Sequence, residues 1–267
     1  MEDRFDLIFD LRAFEALDEF ALLAHQSYNL ENQGDWFGCF RGGLYGMYAR
    51  LHGVREHYRA VHSWLPRPKL SGAELDYQLA SIMFNMDSAI ECFVYALNGL
   101  GNAVAPQDFL DVTDSNKLKR VAPWNIAGDR LRSPLGGYPR WFPSLAAYWP
   151  TKQSLLERIV EQHDVSKHRT TIFTGGMARQ DPPAGFYEKL GIPDDPVVRA
   201  PYWPMKEIAL RPDPKSPLAG RTPSAPEGGG LLEDLADEFR DFIATIGQKV
   251  IEDATEQIQL PEPNFRK

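Results

Sequence analysis

Residues 161–169, Glu161-Gln162-His163-Asp164-Val165-Ser166-Lys167-His168-Arg169, form a dense run of ionisable side chains. On a helix Asp164 and His168, four apart, are neighbours, and the carboxylate would favour the imidazolium and fix its ring orientation. A histidine oriented in this way suits acid–base chemistry. The competing reading is a solvated helix face whose ion pair contributes ~0.3 kcal/mol. A second polar constellation is Asp87 and Glu91, one turn apart within a segment that is otherwise apolar (Ile82, Met83, Phe84, Met86, Ile90, Phe93, Val94, Leu97). Two carboxylates in a dry setting need cations or protons as partners, and Asn98 continues their stripe. If the helices that carry the two runs are neighbours, Asp87 and Glu91 pair with His163, Lys167 or Arg169, and both runs are structural.

Histidines and carboxylates together raise the question of a metal. His57 and His62, and likewise His163 and His168, stand five residues apart, which rotates the second about 140° away from the first on a helix. Neither pair can chelate from its own helix, and no Glu-x-x-His motif of the di-iron carboxylate bundles is present. No metal or other cofactor is therefore expected; a metal-dependent helical-bundle enzyme, with a mixed site using one histidine per helix, is the alternative. His25 and His52 read as structural or surface residues. The chain has no dinucleotide-binding glycine motif after a strand, no phosphate-loop Gly-Lys-Ser/Thr and no Gly-x-Ser-x-Gly elbow.

The elements that must position these residues are helical. Leu11, Phe14, Leu17, Phe20, Ala21 and Ala24 give an apolar stripe over 10–32, and a second helix is expected from Asp35, its N-cap, to Trp64. That helix carries Gly38, Gly42 and Gly46 at intervals of four, flanked by Gly43; interior glycines each cost about 1 kcal/mol, so their smooth face implies close approach of another helix. An extended segment over 36–48 is the alternative there. A third helix is expected from Gly72 to Asn102, with Ser71 and Glu74 as a capping box, apolar nearly all round and hence central. The fourth starts after Pro143 or at Pro150, buries Leu155, Leu156, Ile159, Val160 and Phe173, and ends by Gly175-Gly176. The last spans Leu231–Ile258. Between them lie an irregular insertion at 103–143, with a short helix around Lys117–Val121, and a Pro/Gly-rich insertion at 175–230 containing one strand-like segment, Met205–Leu210, and a linker, 211–230.

The fold expected is therefore all-α: a single domain, 1–267, built as an up-down bundle of four to five long helices with Pro/Gly-rich insertions and one small β-hairpin. With 267 residues, 43% of them hydrophobic, the chain can build a core; its net charge of −8 repels a phosphate backbone, so nucleic-acid contact requires a local basic patch. Cys39 and Cys92 sit in apolar helical patterns without a Cys-x-x-Cys pair, which fits buried, reduced thiols and a cytoplasmic setting. The acidic amino terminus is not a secretory signal, and no apolar run reaches the length of about 18 residues that a membrane span requires.

The stretch His163-Asp164-Val165-Ser166-Lys167-His168-Arg169 resembles the active-site helix of the HEPN superfamily, whose pattern is Arg-polar-x-x-x-His, with His163 here in the arginine position. Arg158, five residues before His163, gives an overlapping match in which Ile159 takes the polar position. The resemblance covers one helix and the general bundle layout. It implies an all-α homodimer whose motif helices face one composite cleft, with no metal. It further implies His168 as the acid–base group in attack of an RNA 2′-hydroxyl on its own phosphodiester, Asp164 orienting it and Arg169 or Lys167 holding the phosphate. A histidine at 163, with an unperturbed pKa of about 6.5, is a poorer phosphate clamp than a guanidinium. The resemblance thus extends to a non-catalytic member that binds RNA, nucleotide or a protein partner, with a metal-independent ribonuclease as the alternative. The glycine-faced helix or the long last helix would supply the dimer interface.

Overall fold

The computed structural model describes residues 7–27, 35–62, 72–128, 132–168, 173–179, 185–189, 191–195, 205–210 and 231–260. The chain is mostly helical. In order, it forms α1 (Arg12–Ser27), α2 (Trp36–His62), α3 (Gly72–Val104), α4 (Ser115–Leu118), α5 (Trp124–Ala127), α6 (Gly137–Trp141) and α7 (Pro143–Tyr148). A 3-10 turn, Trp149–Lys152, leads into α8 (Gln153–His168), followed by β1 (Phe173–Arg179), α9 (Phe186–Lys189), β2 (Met205–Leu210) and α10 (Leu232–Gln257). Two compact units share these elements: one holds residues 1–8, 52–85 and 157–239, the other 9–51, 86–156 and 240–267. Helices α2, α3, α8 and α10 contribute residues to each.

Local chemistry explains most of the boundaries. The Asp35 carboxylate accepts the Gly38 N–H at 2.8 Å, which caps α2 and commits 36–48 to helix rather than to an extended strand. In α1 the buried residues are Phe14, Leu17, Ala21 and Ala24, the helical stripe read from the sequence. The insertion at 103–143 packs as short helices; α4 begins two residues earlier than expected because Asp114 accepts the N–H groups of Asn116 and Lys117. Ser71, the linker 211–230 and the loop before Asp35 lie outside the described residues.

In the second unit an aromatic series links four elements. Phe14 of α1 meets Phe93 of α3 edge-on at 5.8 Å, Phe93 stacks on Trp149 at 6.2 Å, and Trp149 meets Phe242 of α10 at 5.4 Å. Such pairs contribute about 0.5–1.5 kcal/mol each beyond their area burial. The Asp253 carboxylate, 1% exposed, accepts the N–H groups of Ser144 and Leu145 at 3.1 and 3.0 Å, so the start of α7 is capped from α10.

The expected close approach of helices occurs, but not along the glycine row as a whole. A Cβ on Gly43 would stand 2.6 Å from the Ala96 nitrogen and 2.7 Å from the Cys92 oxygen, and one on Gly99 3.0 Å from the Phe40 nitrogen. Here α2 and α3 meet backbone to backbone. Gly42 has open space around its Cα, and Gly38 faces the Asp35 cap rather than another helix. Four-residue spacing names a face; the crossing point selects which glycines are needed.

In the first unit β1 pairs antiparallel with β2, Phe173 opposite Leu210 and Arg179 opposite Met205, with register shifts near Gly175 and between Gly176 and Arg179. Met205–Leu210 is thus the strand foreseen, and Ile208 and Leu210 are buried. Gly175-Gly176 do not end the fourth helix. That helix stops at His168, and Phe173 starts a strand instead of extending the apolar stripe.

Alanine at Gly43 and at Gly42 is predicted to act with opposite sign. Gly43→Ala forces a methyl into a backbone and should destabilise by about 1–3 kcal/mol, whereas Gly42→Ala should stabilise by up to about 1 kcal/mol through helix propensity. Urea midpoints of the two variants check this; a neutral Gly43→Ala would contradict the crossing.

Candidate functional site

Helix α8 carries the ionisable run, and its apolar side fixes what the run faces. Leu155, Leu156 and Ile159 are buried and Gln162 is 4% exposed; Val160, expected in the stripe, is 40% exposed. The rotation that buries Ile159 and Gln162 leaves Asp164 and Lys167 exposed on the last turn. His163 is half-buried, and its ring meets that of Phe84 edge-on, with centroids 5.4 Å apart. The Ser166 hydroxyl donates back to the His163 carbonyl at 2.8 Å. The His168 side chain and the whole of Arg169 lie outside the described residues, as does the Asp164–His168 pairing that depends on them.

Arg158 belongs to a different arrangement. Its guanidinium contacts the Glu238 carboxylate of α10 at 2.5 Å, both side chains being more than a third exposed. The structure thus does not present Arg158 beside His163 as a second clamp; it ties α8 to the first turns of α10. A half-exposed pair of this kind is worth at most about 1 kcal/mol.

The dry carboxylate pair is corrected. Glu91 is exposed and Asp87 half-buried, because exposed positions recur along α3 at Glu74, Tyr77, Phe84 and Glu91, so this helix is not apolar all round. Asp87 and Glu91 belong to the second compact unit, His163 and Lys167 to the first. Asn98, in contrast, is fully buried and structural. Its amide donates to the Leu110 carbonyl at 2.8 Å and its oxygen accepts the Leu110 N–H at 3.0 Å, which pins the insertion to α3.

Sequence reasoning missed a buried histidine–carboxylate contact. His62, at the end of α2 with its side chain fully buried, has Nε2 3.1 Å from the Glu233 carboxylate, in the first turn of α10. The other Glu233 oxygen accepts the Ile208 N–H of β2 at 3.1 Å, and the Tyr58 ring lies 4.5 Å from the imidazole. The contact brings helix α2, helix α10 and strand β2 together within one unit. His62 was visible as a histidine on an apolar helix; Glu233, distant in sequence and in a run of acids, carried no distinguishing signal.

Two further histidines have partners of their own, while His52 is exposed. His57 shares a 2.7 Å hydrogen bond with Gln78, and His25 stacks on Phe37 at 4.3 Å. Among the described residues no group of three or more His, Cys, Asp and Glu side chains is placed to hold a metal ion. Both cysteines are free and half-buried rather than sealed in the core. The Tyr95 hydroxyl donates to the Cys39 sulfur at 3.5 Å, and mainly that hydrogen bond pushes the tyrosine up to about 12. Burial raises the Cys92 thiol, which makes it a poor nucleophile.

The two carboxylates of α10 that meet basic partners are predicted to differ in weight. Glu233→Gln removes the anion facing a fully buried imidazole and should lower stability by about 1–3 kcal/mol, whereas Glu238→Gln should cost less than about 1 kcal/mol. Denaturant titration separates them; equal midpoints would contradict the buried contact at His62.

No protein-family model matches this chain, no curated protein matches it, and no solved structure matches its fold.

Proposed function

We propose that this chain is a HEPN-like helical protein that binds RNA or nucleotide through the last turn of α8, without a metal. The observation that carries the proposal is the division of labour on that helix. His163, the residue in the family's arginine position, packs its ring against Phe84, while Lys167 extends from the exposed side one turn on. A packed imidazole at this position favours binding over cleavage, since the permanent cation that would hold a transition-state phosphate is replaced. The C-terminal end of a helix is its negative pole, so a phosphate there is held by the cations Lys167 and Arg169 and gains nothing from the backbone.

The homodimer and the cytoplasmic setting belong to the same proposal, supported by the family resemblance and by two free thiols. Among the described residues no helix is long and apolar enough to cross a membrane. The second reading, a metal-independent ribonuclease, draws on α8 remaining helical through His168, which keeps the family's five-residue spacing on one helix. In that reading His168 takes the 2′-hydroxyl proton, the 2′-oxygen bonds to phosphorus, and the 5′-oxygen leaves with a proton, giving a cyclic phosphate.

The test is binding of an end-labelled mixed RNA pool in excess EDTA over a salt series, followed by electrophoresis of the same RNA. Wild-type protein should bind with salt-dependent affinity and leave the RNA intact. The Lys167→Ala/Arg169→Ala variant should bind more weakly, with a log–log salt slope shallower by about 2. An unchanged slope contradicts the proposal. Cleavage that disappears in His168→Ala replaces it with the ribonuclease reading.

A further inference from the structure

Between the end of α3 and the insertion that follows lies an open groove of about 820 Å³, wholly within the second compact unit. Its construction begins with two asparagines one turn apart. Asn98 spends both ends of its amide on the Leu110 backbone, and the loop held there lays Phe109 against Gly101 and Gly137, where a Cβ would stand 2.5–2.6 Å from the ring. Asn102, next along the same face, is only 4% exposed and lines the groove, yet its side chain makes no hydrogen bond among the described residues. Its amide is not sealed from solvent and opens to the groove, where its donor and acceptor are available to a ligand.

The charges around it are arranged with a remainder. Asp108 accepts from Arg140 at 3.2 Å and from the Trp141 indole at 3.1 Å. Asp111 accepts from the Thr113 N–H and hydroxyl, which hold it below its ordinary range, and its other oxygen lies 3.6 Å from Lys117. These carboxylates each have a cation, whereas Arg120, on the same rim, has no carboxylate within ion-pair distance among the described residues. The charges that line the groove balance, Asp108 and Asp111 against Lys117 and Arg120, but Arg120 is left without an ion-pair partner among the described residues, beside an apolar wall from Phe109 and Leu135 and the donor–acceptor amide of Asn102.

We propose that this groove binds a nucleoside monophosphate, Asn102 reading the edge of the base and Arg120, with Lys117, holding the phosphate. An amide matches a base edge because it offers a donor and an acceptor in one plane. A guanidinium matches a phosphate through paired charge-assisted hydrogen bonds. The apolar wall receives the flat ring, and the volume falls within the range of small-molecule sites. This site is separate from the last turn of α8, so either can fail without the other.

The experiment is calorimetric titration of the full chain with the four nucleoside monophosphates, the matching nucleosides and inorganic phosphate, with thermal melts of each variant. At least one monophosphate should saturate the wild type, with nucleoside and phosphate each weaker by about tenfold or more. Arg120→Gln should weaken the monophosphate by about tenfold. Gly136 has a φ of −60° and nothing within 4 Å of an added Cβ, so Gly136→Phe should fill the groove and abolish binding at unchanged Tm. Asn102→Leu should abolish binding at unchanged Tm. Failure of all four monophosphates to bind at millimolar concentration overturns the proposal. So do phosphate binding as tightly as the best monophosphate, or affinity unchanged in Gly136→Phe or in Asn102→Leu.

Discussion

Where α2 crosses α3 near Gly43 and Gly99, no side chain separates the two backbones, and this close approach fixes how α3 is rotated. Successive helical residues are turned by about 100°, so directing Gly99 and Ala96 toward α2 carries Asn98 and Asn102 onto a neighbouring flank. The loop that leaves α3 is then secured to that flank by the Asn98 amide at Leu110. Phe109 fills the space left by two further glycines, Gly101 and Gly137. The groove is a consequence of this sequence of constraints. A wider crossing would need no glycine and would not set the phase of α3 so tightly.

Much of the fold was legible in the sequence because its cues are local. The N-cap at Asp35, the stripe of α1, the span of α10 and the strand-like segment Met205–Leu210 each depend on a few neighbouring residues, and each lies where it was expected. The misreadings concern events that local pattern does not encode. Phe173 continues the spacing of α8 but pairs opposite Leu210, a contact distant in sequence, and the glycines read as a helix stop lie in the strand. Likewise, a four-residue glycine row could not reveal that Gly43 meets α3 while Gly42 meets nothing.

The candidate site was legible as an inventory of residues, and less so as an environment. The run is helical through His168, with Asp164 and Lys167 exposed as a solvated face requires, but Phe84 beside His163 comes from another helix and could not be seen from the motif. Arg158 reads as a second motif match and is instead engaged by Glu238. Asp87 and Glu91 stood out against an apolar background, yet apolar residues are also exposed along α3, Tyr77 at 63% and Phe84 at 40%. Conversely, His62 and Glu233 drew little attention because burial, rather than residue type, makes their contact consequential.

The central functional claim is that RNA lies along the last turn of α8. Photo-crosslinking of a thiouridine-substituted RNA to the purified protein, with crosslinked peptides identified by mass spectrometry, addresses it without relying on affinity or cleavage. The account predicts crosslinks concentrated in the peptides that contain residues 159–169, which include Asp164 and Lys167 on the exposed side of the helix. Crosslinks that spare those peptides and fall elsewhere on the chain, or no crosslinks at all, would contradict it.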